Sequence, residues 1–163
     1  MRWCLSHRAD PRAVTLADRH YSRQKPGTPQ FVPPGRCLVL LTEAADAVWV
    51  TSCSFPEYVK HRWPGAWVCS MFRNESDELS SELITEAVAA TRWVWPDVPQ
   101  FGMVTFVDRK KVRSTNPGYC FLQAGFVKDG RTAGGLRALR LAPDLMPEPA
   151  APNGVTLRLE VAV

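Results

Sequence analysis

The stretch from Ala66 to Trp95 constrains the fold more than any other. It opens on an apolar, strand-like run, Ala66-Trp67-Val68-Cys69-Ser70-Met71-Phe72, followed by the polar turn Arg73-Asn74-Glu75-Ser76-Asp77-Glu78. From Leu79 to Trp95 the apolar residues Leu79, Leu83, Ile84, Ala87, Val88, Val94 and Trp95 recur at helical spacing, and Pro96 ends the run. Ser76 or Asp77 is expected to cap this helix by accepting from its free N–H groups.

Strand, polar turn and helix form a geometry that accepts phosphate. The first N–H groups of the helix and the positive end of its dipole point at the turn. Arg73 adds a full charge, and Ser80 and Ser81 add donors. Glu75, Asp77 and Glu78 weigh against a bare anion cradle, and the plain alternative is a capped helix that binds nothing.

At 163 residues, 45% hydrophobic and 22% charged, the chain has the size and composition of one globular domain with a substantial core. It lacks an apolar run of membrane-spanning length, and its first residues lack a secretory leader, so a cytoplasmic location is expected. The net charge of +4 permits a nucleic-acid partner without requiring one. Five cysteines are widely spread, with no zinc or redox spacing. Cys37, Cys53 and Cys69 lie in apolar runs and read as core residues.

In chain order, Arg2–Leu5 reads as a short strand. A helix starts at Asp10-Pro11 and runs to His20-Tyr21. Residues 22–35 hold four prolines and two glycines and read as a stiff binding loop carrying Arg23, Lys25, Gln30 and Phe31. Arg36–Thr42 and Ala47–Ser54 read as a hairpin. Phe55–Gly65 is an aromatic, basic loop with Tyr58, Lys60, His61, Arg62 and Trp63.

After the strand and helix of 66–95, Phe101–Val107 reads as a buried strand. It ends at Asp108 and the basic run Arg109-Lys110-Lys111-Val112-Arg113. A short helix is expected over Tyr119–Ala124. Two strands are expected within 127–141, around turns at Asp129-Gly130 and Gly134-Gly135. Residues 143–153 are a proline-rich linker, and 154–163 alternate as a last strand. The order gives an α/β (α+β) domain, a mixed central sheet with helices on both faces.

This order resembles the GNAT superfamily of acyl-CoA-dependent N-acyltransferases over roughly residues 1–141. Strand 66–72 with its helix matches the place where such proteins hold the CoA pyrophosphate. The short helix followed by Gly125-Phe126 matches the end of many such domains. The resemblance implies acetyl-CoA or another acyl-CoA as cofactor, held by Phe72, Arg73, Asn74, Ser80 and Ser81. It also implies Tyr119 as the acid that protonates the leaving thiolate. The usual glycine-rich turn is missing, since residues 73–78 contain no glycine.

A narrower resemblance is to the Mom DNA-modification proteins of bacteriophages, a divergent GNAT-like group. It rests on His20-Tyr21-Ser22, the polar turn with its serine-rich helix start, and Asp108 followed by Tyr119. That family adds a carbamoylmethyl-type group to the exocyclic amine of adenine, which blocks restriction enzymes, and both acetyl-CoA and iron are implicated. The resemblance implies His20, Tyr21, Asp108 and Tyr119 as catalytic residues, double-stranded DNA as partner and a phage-carrying bacterial host.

Each of these residues has a plain alternative: a helix-ending histidine, a half-buried tyrosine, a solvated aspartate, a core tyrosine. Arg23, Lys25, Lys60, Arg62, Lys110, Lys111 and Arg113 are expected to track DNA phosphates if their loops cluster. Phe31, Tyr58 and Trp63 are expected to stack on bases. No spacing identifies a metal site. The leading expectation is an anti-restriction acyltransferase that modifies a DNA base. The alternatives are an N-acetyltransferase for a small-molecule or protein amine, and a nucleic-acid-binding module without enzymatic activity.

Overall fold

The computed structural model describes residues 1–55, 57 and 59–155; the expected last strand lies almost wholly outside them, and Tyr58 entirely. The elements are β1 (Trp3–Leu5), α1 (Pro11–Asp18), β2 (Arg36–Thr42), β3 (Ala47–Cys53), β4 (Trp67–Asn74), α2 (Ser80–Val94), β5 (Met103–Val107), α3 (Tyr119–Gln123), β6 (Val127–Arg131) and β7 (Arg137–Leu141). They build one mixed sheet in the order β1-β2-β3-β4-β5-β7-β6. Only β4 and β5 run parallel, and α2 is the crossover between them.

The sheet is covered on both faces. In β2, Leu38 and Leu40 enter a core with Leu83, Ile84, Ala87 and Val88 of α2 and Phe121 of α3. Val39 and Leu41 enter the opposite core with Ala13, Leu16 and Ala17 of α1. Alternate residues of a strand point to opposite faces, so a continuous apolar run is what a strand between two helical layers requires. Each fully buried Leu, Ile or Val contributes about 1.5–3 kcal/mol. Cys69 is buried, whereas Cys37 and Cys53 are only half-buried.

Polar groups in the larger core are paired. Trp3 Nε1 donates to the Leu83 carbonyl at 2.8 Å. Trp49 Nε1 donates to Thr51 Oγ1 at 2.7 Å, Thr51 and Thr91 hydroxyls meet at 3.0 Å, and Thr91 donates to the Ala87 carbonyl at 2.8 Å. The Thr91 proton is thereby committed, so Thr51 donates to Thr91.

Several local expectations change. α1 is capped by Asp10, whose side chain accepts from the Arg12 N–H, but it ends at Asp18, before His20 and Tyr21. α2 begins at Ser80, with Leu79 at its cap position and no side-chain cap. Ser76 Oγ instead accepts from the Glu78 N–H inside the turn, so neither Ser76 nor Asp77 caps the helix. Asp129-Gly130 is no turn. It is an irregularity within β6, where the register against β7 shifts between Lys128 and Arg131. The proline-rich segment returns to the sheet edge, where Asn153 N–H donates to the Trp3 carbonyl at 2.8 Å. Among the described residues no helix is long and apolar enough to cross a membrane.

Candidate active site

β4 and β5 pair only from Trp67–Met103 to Cys69–Thr105. The register of β3 on β4 shifts at the same level: Val50 faces Met71 and Thr51 faces Cys69, which leaves Ser70 as an extra residue. Thr105 Oγ1 donates to the Cys69 carbonyl at 3.0 Å and closes the ladder. Beyond it β4 continues to Asn74 with no strand of the described residues on its β5 side, and the two strands part around a cavity of about 860 Å³. This is the carboxyl end of the parallel pair, where open sheets gather ligands.

Arg19, Arg73, Lys111 and Arg113 line the cavity, and among the described residues no Asp or Glu does. Glu75 lies beside it and is committed to the two arginines. Arg19 gives it two hydrogen bonds, at 2.8 and 2.7 Å, and Arg73 Nε a third. Chiefly through Arg19, its carboxyl is held down to about 2. Arg73 also donates to the Arg19 carbonyl at 2.7 Å.

The glycine-free turn is held by Asn74. Its Nδ2 donates to the Glu78 carbonyl at 2.8 Å and to Ser80 Oγ at 2.9 Å, and its Oδ1 accepts from Ser76 N–H at 2.9 Å. With no side-chain cap, the first N–H groups of α2 and its positive dipole end stay available beside Ser80.

His20 and Tyr21 enter from the loop after α1, their rings stacked 4.4 Å apart. His20 Nδ1 receives the Ser22 backbone N–H at 3.2 Å and lies 2.7 Å from Ser22 Oγ. A backbone N–H only donates, so Nδ1 accepts and the neutral ring carries its proton on Nε2. Burial, and then the Arg73 charge, lowers the His20 pKa to about 4. His20 therefore stands at neutral pH as an uncharged ring with an N–H donor at Nε2.

Burial raises the pKa of Tyr21. A hydrogen bond from the Asp108 backbone opposes this, and the Asp108 charge adds to it. Asp108, at the end of β5, accepts the Lys110 N–H at 3.0 Å. Cys69 and Cys120 also line the cavity, both with pKa values raised by burial. Gly118 starts α3 at φ +85, and a Cβ there would stand 2.7 Å from Leu139 Cδ1, so this wall needs glycine.

Of the expected cofactor residues, Phe72, Arg73, Asn74 and Ser80 line the cavity. Ser81 does not; it faces a separate shallow groove with Arg2, Glu82 and Glu86. Of the expected catalytic residues, His20 and Tyr21 line the cavity and Asp108 adjoins it through Tyr21. Tyr119 is 54% exposed and does not line it; Cys120 takes that side of α3.

The expected phosphate-tracking residues are dispersed. Lys111 and Arg113 line the cavity, and Lys110 is exposed in the same loop. Lys25 and Lys60 are exposed elsewhere. Arg62 lies over Trp63 and donates to the Asp129 carbonyl at 3.1 Å. Arg23 has a side chain only 2% exposed, paired to Asp18 at 2.7 Å, so it organises its loop and cannot track phosphate. Trp63 is buried and donates to Asp129 at 3.0 Å, and Phe31 is buried against α1, so neither is a free stacking platform.

Arg19, Ser70, Thr105 and Cys120 were not singled out from sequence. The polar Ser70 in an otherwise apolar run was the available signal for the irregular strand. Comparison with protein-family models, curated proteins and solved structures finds no match. The iron implied by the Mom resemblance finds no fit: among the described residues no three His, Cys, Asp or Glu side chains come together as a ligand set.

Proposed function

We propose that this protein is an acyl-CoA-dependent N-acyltransferase of GNAT-like fold whose acceptor is the exocyclic amine of a DNA base. The observation that carries this reading is the parting of β4 from β5 at Cys69–Thr105 beside Arg73 and the uncapped start of α2. An acyl-CoA is an extended, amide-bearing chain with a thioester at one end and phosphates at the other. The edge of β4 beyond Cys69, unpaired among the described residues, suits the chain by strand-like hydrogen bonding. Arg73, Ser80 and the uncapped start of α2 suit the phosphates.

In transfer, the acceptor nitrogen forms a bond to the thioester carbonyl carbon and the C–S bond breaks. Tyr21, kept protonated by its raised pKa, gives its proton to the leaving thiolate. Asp108 takes the proton from the acceptor nitrogen. His20 Nε2–H supports negative charge developing on the carbonyl oxygen. Lys111 and Arg113, with the exposed Arg109 and Lys110, contact the DNA backbone. The base must leave the duplex to present its amine.

The test is calorimetry of acetyl-CoA on the full chain together with mass spectrometry of nucleosides from plasmid DNA of bacteria expressing it. Saturable acetyl-CoA binding and a new nucleoside absent from a Tyr21→Phe strain support the reading. Binding with unmodified DNA moves the acceptor to a small-molecule or protein amine, and no acetyl-CoA binding removes the acyltransferase.

A further inference from the structure

Two of the cations that line the main cavity are fastened to one carboxylate. Arg19 comes from the end of α1 and Arg73 from β4. The Nε of each donates to the same oxygen of Glu75, Oε2, so the two guanidiniums are immediate neighbours. Like charges this close repel, and the carboxylate between them offsets the repulsion. Glu75 itself does not line the cavity, and its backbone N–H is fixed to the Asp46 carbonyl at 2.7 Å.

These bonds leave a definite remainder. Arg19 spends Nε and Nη2 on Glu75; Arg73 spends Nε on Glu75 and Nη1 on the Arg19 carbonyl. Arg19 Nη1 and Arg73 Nη2 are left without a partner among the described residues. The two side chains are 46% and 33% exposed, so solutes reach both.

A planar carboxylate is held best by the parallel N–H bonds of one guanidinium fork. Glu75 already fills the fork of Arg19. One amino group from each of two guanidiniums suits a tetrahedral phosphoryl group, whose oxygens diverge. Charge agrees with this. Glu75 offsets one of the two arginines, and Lys111 and Arg113 add further positive charge to the same cavity. A ligand with at least two negative charges matches that excess.

We propose that Arg19 and Arg73 form a clamp for a phosphoryl group, and that Glu75 is the positioning residue that keeps the clamp set. The identity of the phosphate carrier rests on the acyl-CoA reading, but phosphoryl binding at the clamp stands without it. Glu75 acts above all through Arg19. Among the described residues the Arg19 guanidinium hydrogen-bonds to Glu75 alone, whereas Arg73 also holds the Arg19 carbonyl. Without Glu75 the Arg19 side chain is loose, and binding has to order it. The sign of the effect is therefore diagnostic. Coulomb attraction alone makes anion binding tighter when an acid beside the cavity is removed; loss of positioning makes it weaker.

The test is calorimetry of inorganic pyrophosphate on the full chain, with acetate in parallel. The expected result is saturable binding of pyrophosphate and none of acetate. Glu75→Gln should weaken pyrophosphate binding about tenfold, the size of one lost hydrogen bond to a charged group, although the chain gains positive charge. Arg19→Lys, which keeps the charge and loses the fork, should weaken it similarly. Glu75→Gln added to Arg19→Lys should cost little more, because the arm that Glu75 sets is already gone. If Glu75→Gln fails to fold, Arg19→Lys decides.

Unchanged or tighter binding in Glu75→Gln, undiminished binding in Arg19→Lys, or additive losses in the double variant overturns the proposal. So does acetate binding as tight as that of pyrophosphate, or no pyrophosphate binding at all. Acetyl-CoA calorimetry on the same proteins separates the two readings. Pyrophosphate binding without acetyl-CoA binding removes the transferase and leaves the clamp. Acetyl-CoA binding that Glu75→Gln leaves undiminished removes the clamp alone.

Discussion

Ser22 donates its backbone N–H to Nδ1 of His20 at 3.2 Å, and this bond decides what His20 can do. An imidazole whose Nδ1 already accepts carries its proton on Nε2. With the pKa lowered to about 4, the ring should stay neutral across the physiological range. Nitrogen-detected NMR is expected to show a protonated Nε2, an unprotonated Nδ1 and a titration midpoint well below 6.5. The unfolded chain takes up its proton as pH falls through 6.5 and the folded chain only near 4. Stability is therefore lost as pH drops across that window, and His20→Gln should flatten this part of the curve.

The two tyrosines separate cleanly. Tyr21 lines the cavity and Tyr119 does not. Tyr21→Phe is expected to cut turnover about 10²–10⁴-fold while acetyl-CoA affinity changes little. Tyr119→Phe should remain within a factor of two or so, since Tyr119 is exposed and does not line the cavity. Because burial raises its pKa, Tyr21 should also ionise above the ordinary tyrosine value in a spectrophotometric titration.

These tyrosines show what a sequence can and cannot reveal here. The element order and both faces of β2 were readable, because a run such as Cys37-Leu-Val-Leu-Leu41 has one comfortable place, between two layers of helix. The route of the loop after α1 was not. The GNAT resemblance implied Tyr119 in the helix after β5 as the acid, whereas folding brings Tyr21, from the other end of the sequence, to the cavity wall. Arg23 reads as a surface cation until Asp18, five residues earlier, pairs with it under the loop. Asp129-Gly130 reads as a turn until the β6–β7 register absorbs it. Such outcomes depend on how each segment pairs and packs in the folded chain, which local propensity does not encode.

The arginine pair at the cavity mouth has its own pH signature. Glu75 is held down to about 2 by Arg19 first and Arg73 second, against an ordinary value of 4.5. A carboxyl with a depressed folded pKa adds stability above its unfolded value, and this is lost as pH falls through the folded one. The wild type should therefore lose stability between about pH 4.5 and 2. Glu75→Gln should lack this component. Acid-denaturation curves of the two proteins should converge at the low end of the window.

The buried relay from Trp49 through Thr51 to Thr91 joins β3 to α2, and none of the three residues lines the cavity. Thr91→Ala leaves the Thr51 hydroxyl proton without its acceptor in a fully buried site. The expected cost is about 1–3 kcal/mol in urea unfolding, with acetyl-CoA affinity unchanged. Thr91→Ser, which keeps the hydroxyl, should recover most of it.

Salt dependence tests the DNA surface residue by residue. A side chain that neutralises one phosphate steepens the fall of log K with log salt by about 0.9. Lys111 and Arg113 line the cavity mouth, so Lys111→Ala and Arg113→Ala should each lower the slope by about that amount. Lys25→Ala and Lys60→Ala, on loops outside the cavity, should lower it less. Arg23→Lys should not change it, because that side chain is buried against Asp18 and reaches no phosphate. Equal slopes for all these variants would mean that DNA contacts the protein by diffuse charge, without the cavity mouth facing the duplex.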